Sequence, residues 1–150
     1  MTLRLIVIWI HVVGMAVWVG GLMYQSHVLL PAARRGAARD FVAAARRARP
    51  VTWAAITLVV LTGFYNLTQL GPMEHVMQSG SGVLLAGKFI LVIAAVALAG
   101  QRDFAWIARV PRAAEGDETH AALKAIGVLD HIVLALLMVI VYLGLAISRS

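Results

Sequence analysis

No cysteine occurs among the 150 residues, which removes disulfides, thiolate-bound metals and cysteine nucleophiles at once. Charge is scarce as well: 13% of residues are charged, against about 25% in an ordinary soluble domain. Acids are the rarer sign, seven against thirteen bases. There is no phosphate-binding glycine loop, no His-Glu-x-x-His zinc helix and no pair of carboxylates inside an apolar run. A Ser-His-Asp set cannot be assembled at one depth either. Thiol, nucleotide-binding and zinc-peptidase chemistries are thereby set aside.

What is abundant is apolar: 61% of residues, with a mean hydropathy of +0.87. Four runs, over about 3–30, 51–70, 82–99 and 125–147, reach the roughly 20 residues needed to cross a hydrocarbon core. Backbone polar groups in lipid must be satisfied within the segment, so each run is a helix. The expected fold is therefore all-α: a single integral membrane domain, an up-down-up-down four-helix bundle. Gly71-Pro72 and Gly80-Ser81-Gly82 read as turn-like breaks between the second and third helices. A signal peptide is the competing reading of the first run. It fits poorly, since the run is too long and the n-region has a single arginine, Arg4.

Connection 31–50 carries Arg34, Arg35, Arg39, Arg46, Arg47 and Arg49 against Asp40 alone. Connection 100–124 carries Arg102, Arg109, Arg112 and Lys124, partly offset by acids, whereas 70–81 has no base but His75. The positive-inside rule places the two basic connections in the cytoplasm and both termini outside, as in a bacterial-type inner membrane. The net charge of +6 thus belongs to topology and not to nucleic-acid binding. Alternating alanine and arginine over 32–49 predicts an amphipathic helix near the inner lipid surface.

Within this frame, polar residues at membrane depth mark a site. His11, Gly14, Trp18, Gly21 and Gln25 follow a 3-4-3-4 spacing, which puts them on one helical seam. At a rise of about 1.5 Å per residue, Lys88, Thr62, Asn66 and Tyr142 reach the same outer half as His11. No acid of a spanning segment lies there, so the Lys88 ammonium either snorkels to the surface or meets an anionic ligand. A tetrapyrrole would supply both partners, its propionates for Lys88 and its iron for His11, with Trp18 and the glycines clearing the slot. On the inner side, His27, Trp53 and Asp130-His131 gather. His27 is turned by about 160° from the His11 seam. His131 is a second candidate metal ligand, or a partner of Asp130. Met15, Met23, Met73, Met77 and Met138, with Glu74 and His75, offer softer donors suited to Cu(I).

The stretch from His11 through Trp18 and Gly21 to Tyr24 resembles the first helix of the HemJ-type membrane protoporphyrinogen oxidases. It is also similar to the CopD-type copper-resistance membrane domain, a related four-helix arrangement. Leu61-Thr62-Gly63 and Gly87-Lys88-Phe89 extend the resemblance over most of the chain. The HemJ resemblance implies heme b binding, with His11 as the candidate iron ligand and Lys88 as a functional partner.

The expectation is a membrane heme redox protein, acting in electron transfer or as a protoporphyrinogen-oxidase-like enzyme. Its site would comprise His11, Trp18, Lys88, Asn66 and Tyr142, with His131 as a further ligand. Its partners would be the lipid bilayer and a membrane redox partner, and small-residue spacings permit an oligomer. Copper transport of CopD type is the alternative. A third reading is a cofactor-free accessory subunit of a larger membrane complex. The visible spectrum and metal content of detergent-purified protein separate the three. Heme gives a Soret band that vanishes in His11→Ala; the copper reading gives colourless protein with stoichiometric copper; an accessory subunit is colourless and metal-free.

Overall fold

A computed structural model describes residues 2–69, 80–112 and 116–147. The Gly71-Pro72 turn, the donors Met73, Glu74, His75 and Met77, and Glu115 lie outside the described residues. Among the described residues the chain is helical and contains no strand. Three helical stretches are long and apolar enough to cross a membrane: Leu3–Thr68, Gly82–Arg109 and Asp117–Ala146. The first of these contains a sharp reversal. At Gly36 φ is 119°, a left-handed conformation in which a Cβ would cost about 1–2 kcal/mol.

The reversal separates α1 (Thr2–Tyr24) from α2 (Ala38–Thr68). After α2 come α3 (Gly80–Gly100) and α4 (Asp117–Ile147). Wide π turns prolong α1 over Gln25–Leu29 and α3 over Gln101–Trp106. The first precedes Pro31, which has no N–H to return to the carbonyl four residues back.

Several boundaries differ from those the apolar runs suggest. Alanine and arginine are both strong helix formers, so α2 starts at Ala38 and carries Pro50 within it. The segment 32–49 is accordingly split between the two arms of a hairpin and does not form a separate helix. Gly80, Ser81 and Gly82 are the first turn of α3 and not a break before it. α4 begins at Asp117, well before its apolar run; Asp117 and Glu118 occupy its first turn, where carboxylates favour the helix dipole.

The helices pack in layers. His11 meets Thr62, and Lys88 lies against Gly144. Below them Trp18, Ala55, Ala95 and Leu137 share one buried cluster with Leu22, Ile56, Ala99 and Val133. At the arginine-rich end Leu30, Phe41, Val42, Ile107, Leu123 and Ile126 form a second. Large apolar side chains such as Trp9, Ile90 and Met138 point outward, as befits surfaces in contact with lipid tails.

Lipid is as apolar as leucine, so the helices hold together through close packing and internal polar contacts. At Gly14 α1 comes close to α2. A Cβ there would lie 2.9 Å from Val59 Cγ2 and 3.4 Å from the Ala55 carbonyl. Gly20, by contrast, faces open space. Gly14→Leu is therefore expected to lower stability by about 1–3 kcal/mol through overpacking. Gly20→Leu should stay within about 0.5 kcal/mol of the parent. Unfolding in detergent, followed by circular dichroism, checks the contrast.

Candidate functional site

Between the two apolar clusters lies a buried ion network. Arg102, 4% exposed, donates from Nε to Asp130 Oδ1 and from Nη1 to Asp103 Oδ1 at 2.8 Å. Its Nη2 donates to Gln25 Oε1 at 3.0 Å. Asp103 also accepts from Trp53 Nε1 at 3.1 Å, while Arg49 donates to the Asp103 backbone carbonyl at 2.6 Å. All four helical arms thus meet on one guanidinium and its carboxylates. The π turns make this possible, since they leave two consecutive residues facing inward: Gln25 with Ser26, and Arg102 with Asp103.

A cavity of about 20 Å³ lies beside the network, lined by Trp18, Gln25, Thr52, Arg102 and Asp103 among others. That is room for a single water molecule. Asp130 is 0% exposed, and its Oδ2 has no hydrogen-bond partner among the described residues. The sequence reading offers Asp130 only His131 as a possible partner; in the structure it pairs with Arg102. Its signal was an acid embedded in the last apolar run and an arginine just past the end of the third.

At the other end, His11 and Thr62 Oγ1 lie 2.8 Å apart. The hydroxyl donates to the Leu58 carbonyl, so it accepts from His11 Nδ1–H, leaving Nε2 with its lone pair. His11 Cε1 packs 3.6 Å from the place a Gly63 Cβ would take. Lys88 is close enough for its charge to act on the imidazole. Its Nζ occupies the space left by Gly144, 3.1 Å from where a Cβ would sit. Among the described residues no carboxylate pairs with it.

Of the expected site residues, His11 lies on Thr62, Lys88 lies beside Gly144, and Asn66 is half-buried one turn beyond Thr62. Trp18 and Tyr142 are not with them. Trp18 is 2% exposed, packed in the core two turns from His11 and lining the cavity beside Arg102. Tyr142 is 69% exposed and points outward. Gly21 has no neighbour where a Cβ would be, so it does not clear an interior slot. The tetrapyrrole slot expected between His11, Trp18 and Tyr142 is not assembled from these residues, and heme b does not fit them.

His131 lies at the level of the ion network but turns the opposite way. Its side chain is exposed, as is that of His27, and the two ring centres are 5.8 Å apart. The outward turn expected of His27 is what the structure has; its neighbour there is His131. Further along, a groove of about 1130 Å³ is lined by Arg34, Arg39, Arg46, Arg47 and His120 with Asp40, a basic surface suited to lipid phosphate.

These features define a helical membrane protein whose arms are clamped by a central ion network, with imidazoles above and below it. Residues 42–147, from α2 to the end of α4, match the family model of copper resistance protein D (CopD), and the chain belongs to that family. His131 is within the matched residues; His11 and His27 precede them. No curated protein and no solved structure matches the chain.

Removing one partner of a buried ion pair strands the other charge, at about 3–5 kcal/mol. Arg102→Met should destabilise the protein by that order. The double variant Arg102→Met/Asp130→Leu should recover some of the loss. Detergent unfolding of the parent and both variants measures the difference.

Proposed function

We propose that the chain is a multi-pass copper-handling protein of a bacterial-type inner membrane, with copper as its cargo. It crosses four times, the hairpin at Gly36 supplying two crossings, with both termini outside. The observation that carries this reading is membership of the copper resistance protein D family over residues 42–147. The geometry agrees with it. Imidazoles stand on both sides of the ion network, His11 toward the outer end and His131 toward the inner. Imidazole is a good ligand for copper, and the thioethers of Met15, Met23 and Met138 suit its reduced form.

The two levels are not equivalent. Lys88 places a positive charge near His11, which disfavours a bare cation there. The outer imidazole therefore acts as a transient contact for copper arriving from outside, and the inner level as the place where it rests. The closed packing around Trp18 and the Arg102 network separates them, so passage requires the helices to move apart.

The test is copper entry into proteoliposomes containing the full chain, read with a copper-sensitive dye in the lumen. Uptake several-fold above protein-free liposomes is expected, with a reduced rate in His11→Ala. Uptake equal to protein-free liposomes, together with copper-free protein purified from copper-fed cells, overturns the reading.

A further inference from the structure

We propose that His27 and His131 together form a metal site at the inner end of the bundle, one that takes a soft, monovalent cation, Cu(I). The proposal rests on the copper reading for the identity of the cargo, but the site itself is argued from geometry.

Each ring is oriented by its own helix. His27 Nδ1–H donates to the Met23 carbonyl at 3.1 Å, and His131 Nδ1–H donates to the Gly127 carbonyl at 2.6 Å. Both acceptors are backbone carbonyls four residues earlier, so each must receive the Nδ1 proton. Both histidines are thereby fixed in the tautomer whose Nε2 keeps its lone pair. Holding the remote ring nitrogen on a carbonyl is also how metal-binding histidines are ordinarily oriented. Two neighbouring histidines, on different helices, share the arrangement.

Their separation leaves room for one shared ion when both Nε2 atoms turn toward it. With a metal about 2.0–2.1 Å from each Nε2, ring centres lie about 5.2 Å apart at a tetrahedral angle and about 6.4 Å apart in a linear complex. The observed 5.8 Å falls between these limits, with the planes inclined at 55°. A stacked or edge-on ring pair needs neither the common tautomer nor two free nitrogens.

The surroundings select the ion. The neighbouring carboxylate does not serve the pair: Asp130 is turned into the core and engaged by Arg102. The Arg34 guanidinium lies against Gly127, one turn from His131, and penalises a divalent ion more than a monovalent one. Met23 stands one turn before His27 on the same helix face and offers a thioether. Two neutral imidazoles, a soft sulfur and a nearby positive charge favour Cu(I) over zinc, calcium or magnesium.

The experiment titrates Cu(I) into the detergent-purified full chain under anaerobic, reducing conditions against a chromophoric Cu(I) chelator. His27→Gln, His131→Gln and the double variant are measured alongside, as is copper-edge X-ray absorption of the loaded parent. Both side chains are exposed, so the variants should keep the parent's helicity and unfolding midpoint, which are checked first. Each single variant is expected to lose the same one equivalent of Cu(I) as the double, and the parent should show imidazole scattering from two ligands. Unchanged stoichiometry in either single variant overturns the site, as do losses that add in the double. The proteoliposome assay fails or succeeds separately. Binding at the pair without uptake refutes the transport reading and leaves the site standing, whereas uptake that persists in variants with unchanged binding refutes the site alone.

Discussion

A guanidinium cannot lose its proton inside a protein, so burying Arg102 obliges the rest of the bundle to provide for it. Asp103 comes from its own helix, Asp130 from α4 and Gln25 from the extension of α1. α2 joins indirectly, through Trp53 and Arg49 on Asp103. The requirement fixes the angular position of every arm at this depth. The apolar layers above and below then pack around an arrangement already determined by charge. Small residues, among them Ala55, Ala95 and Ala99, let the helices approach closely enough for the network to close. In lipid, where burial of leucine gives no driving force between helices, such a network also carries specificity.

Two histidine environments are set by their relation to this network. His11 lies above it, against Thr62, and Lys88 beside Gly144 has no carboxylate partner among the described residues. His131 follows directly on Asp130 but points away from it. The carboxylate is spent on Arg102, and the neighbouring ring is left as a neutral ligand on the outside of the helix. A single residue along α4 thus separates a structural anion from a candidate metal donor.

Much of this was legible in the sequence, and what was not had definite physical causes. Run length identified apolar helices, and counting depth from the ends set Lys88 at the level of His11. The same counting did not show which way Tyr142 faces, because an aromatic in an apolar helix is equally at home against lipid. Arg102 was hidden among charges that report topology; composition does not distinguish an arginine in a loop from one drawn into the bundle. The helix ends were masked for a related reason. Hydropathy measures where lipid stops, whereas alanine and arginine continue the helix beyond it at Ala38. His27 was correctly turned from the His11 seam, yet facing outward did not mean facing nothing, since α4 brings His131 to the same edge.

The π turns carry a consequence for the bundle as a mechanical object. Along α1 the buried positions run 14, 18, 22 and 25, then resume at 26, 30 and 33. Along α3, beyond Gly82, they run 95, 99 and 102, then resume at 103, 107 and 110. Each helix therefore slips by one residue in phase, and both slips fall at the depth of Arg102. Above that plane the seam obeys one phase and below it another, while α2 and α4 carry no such wide turn inside their long helices. The change of phase is therefore confined to α1 and α3, while α2 and α4 pass through that plane unbroken. Side chains at the His11 end and at the arginine-rich end follow different phases of α1 and α3, with the guanidinium at the point where the two phases meet.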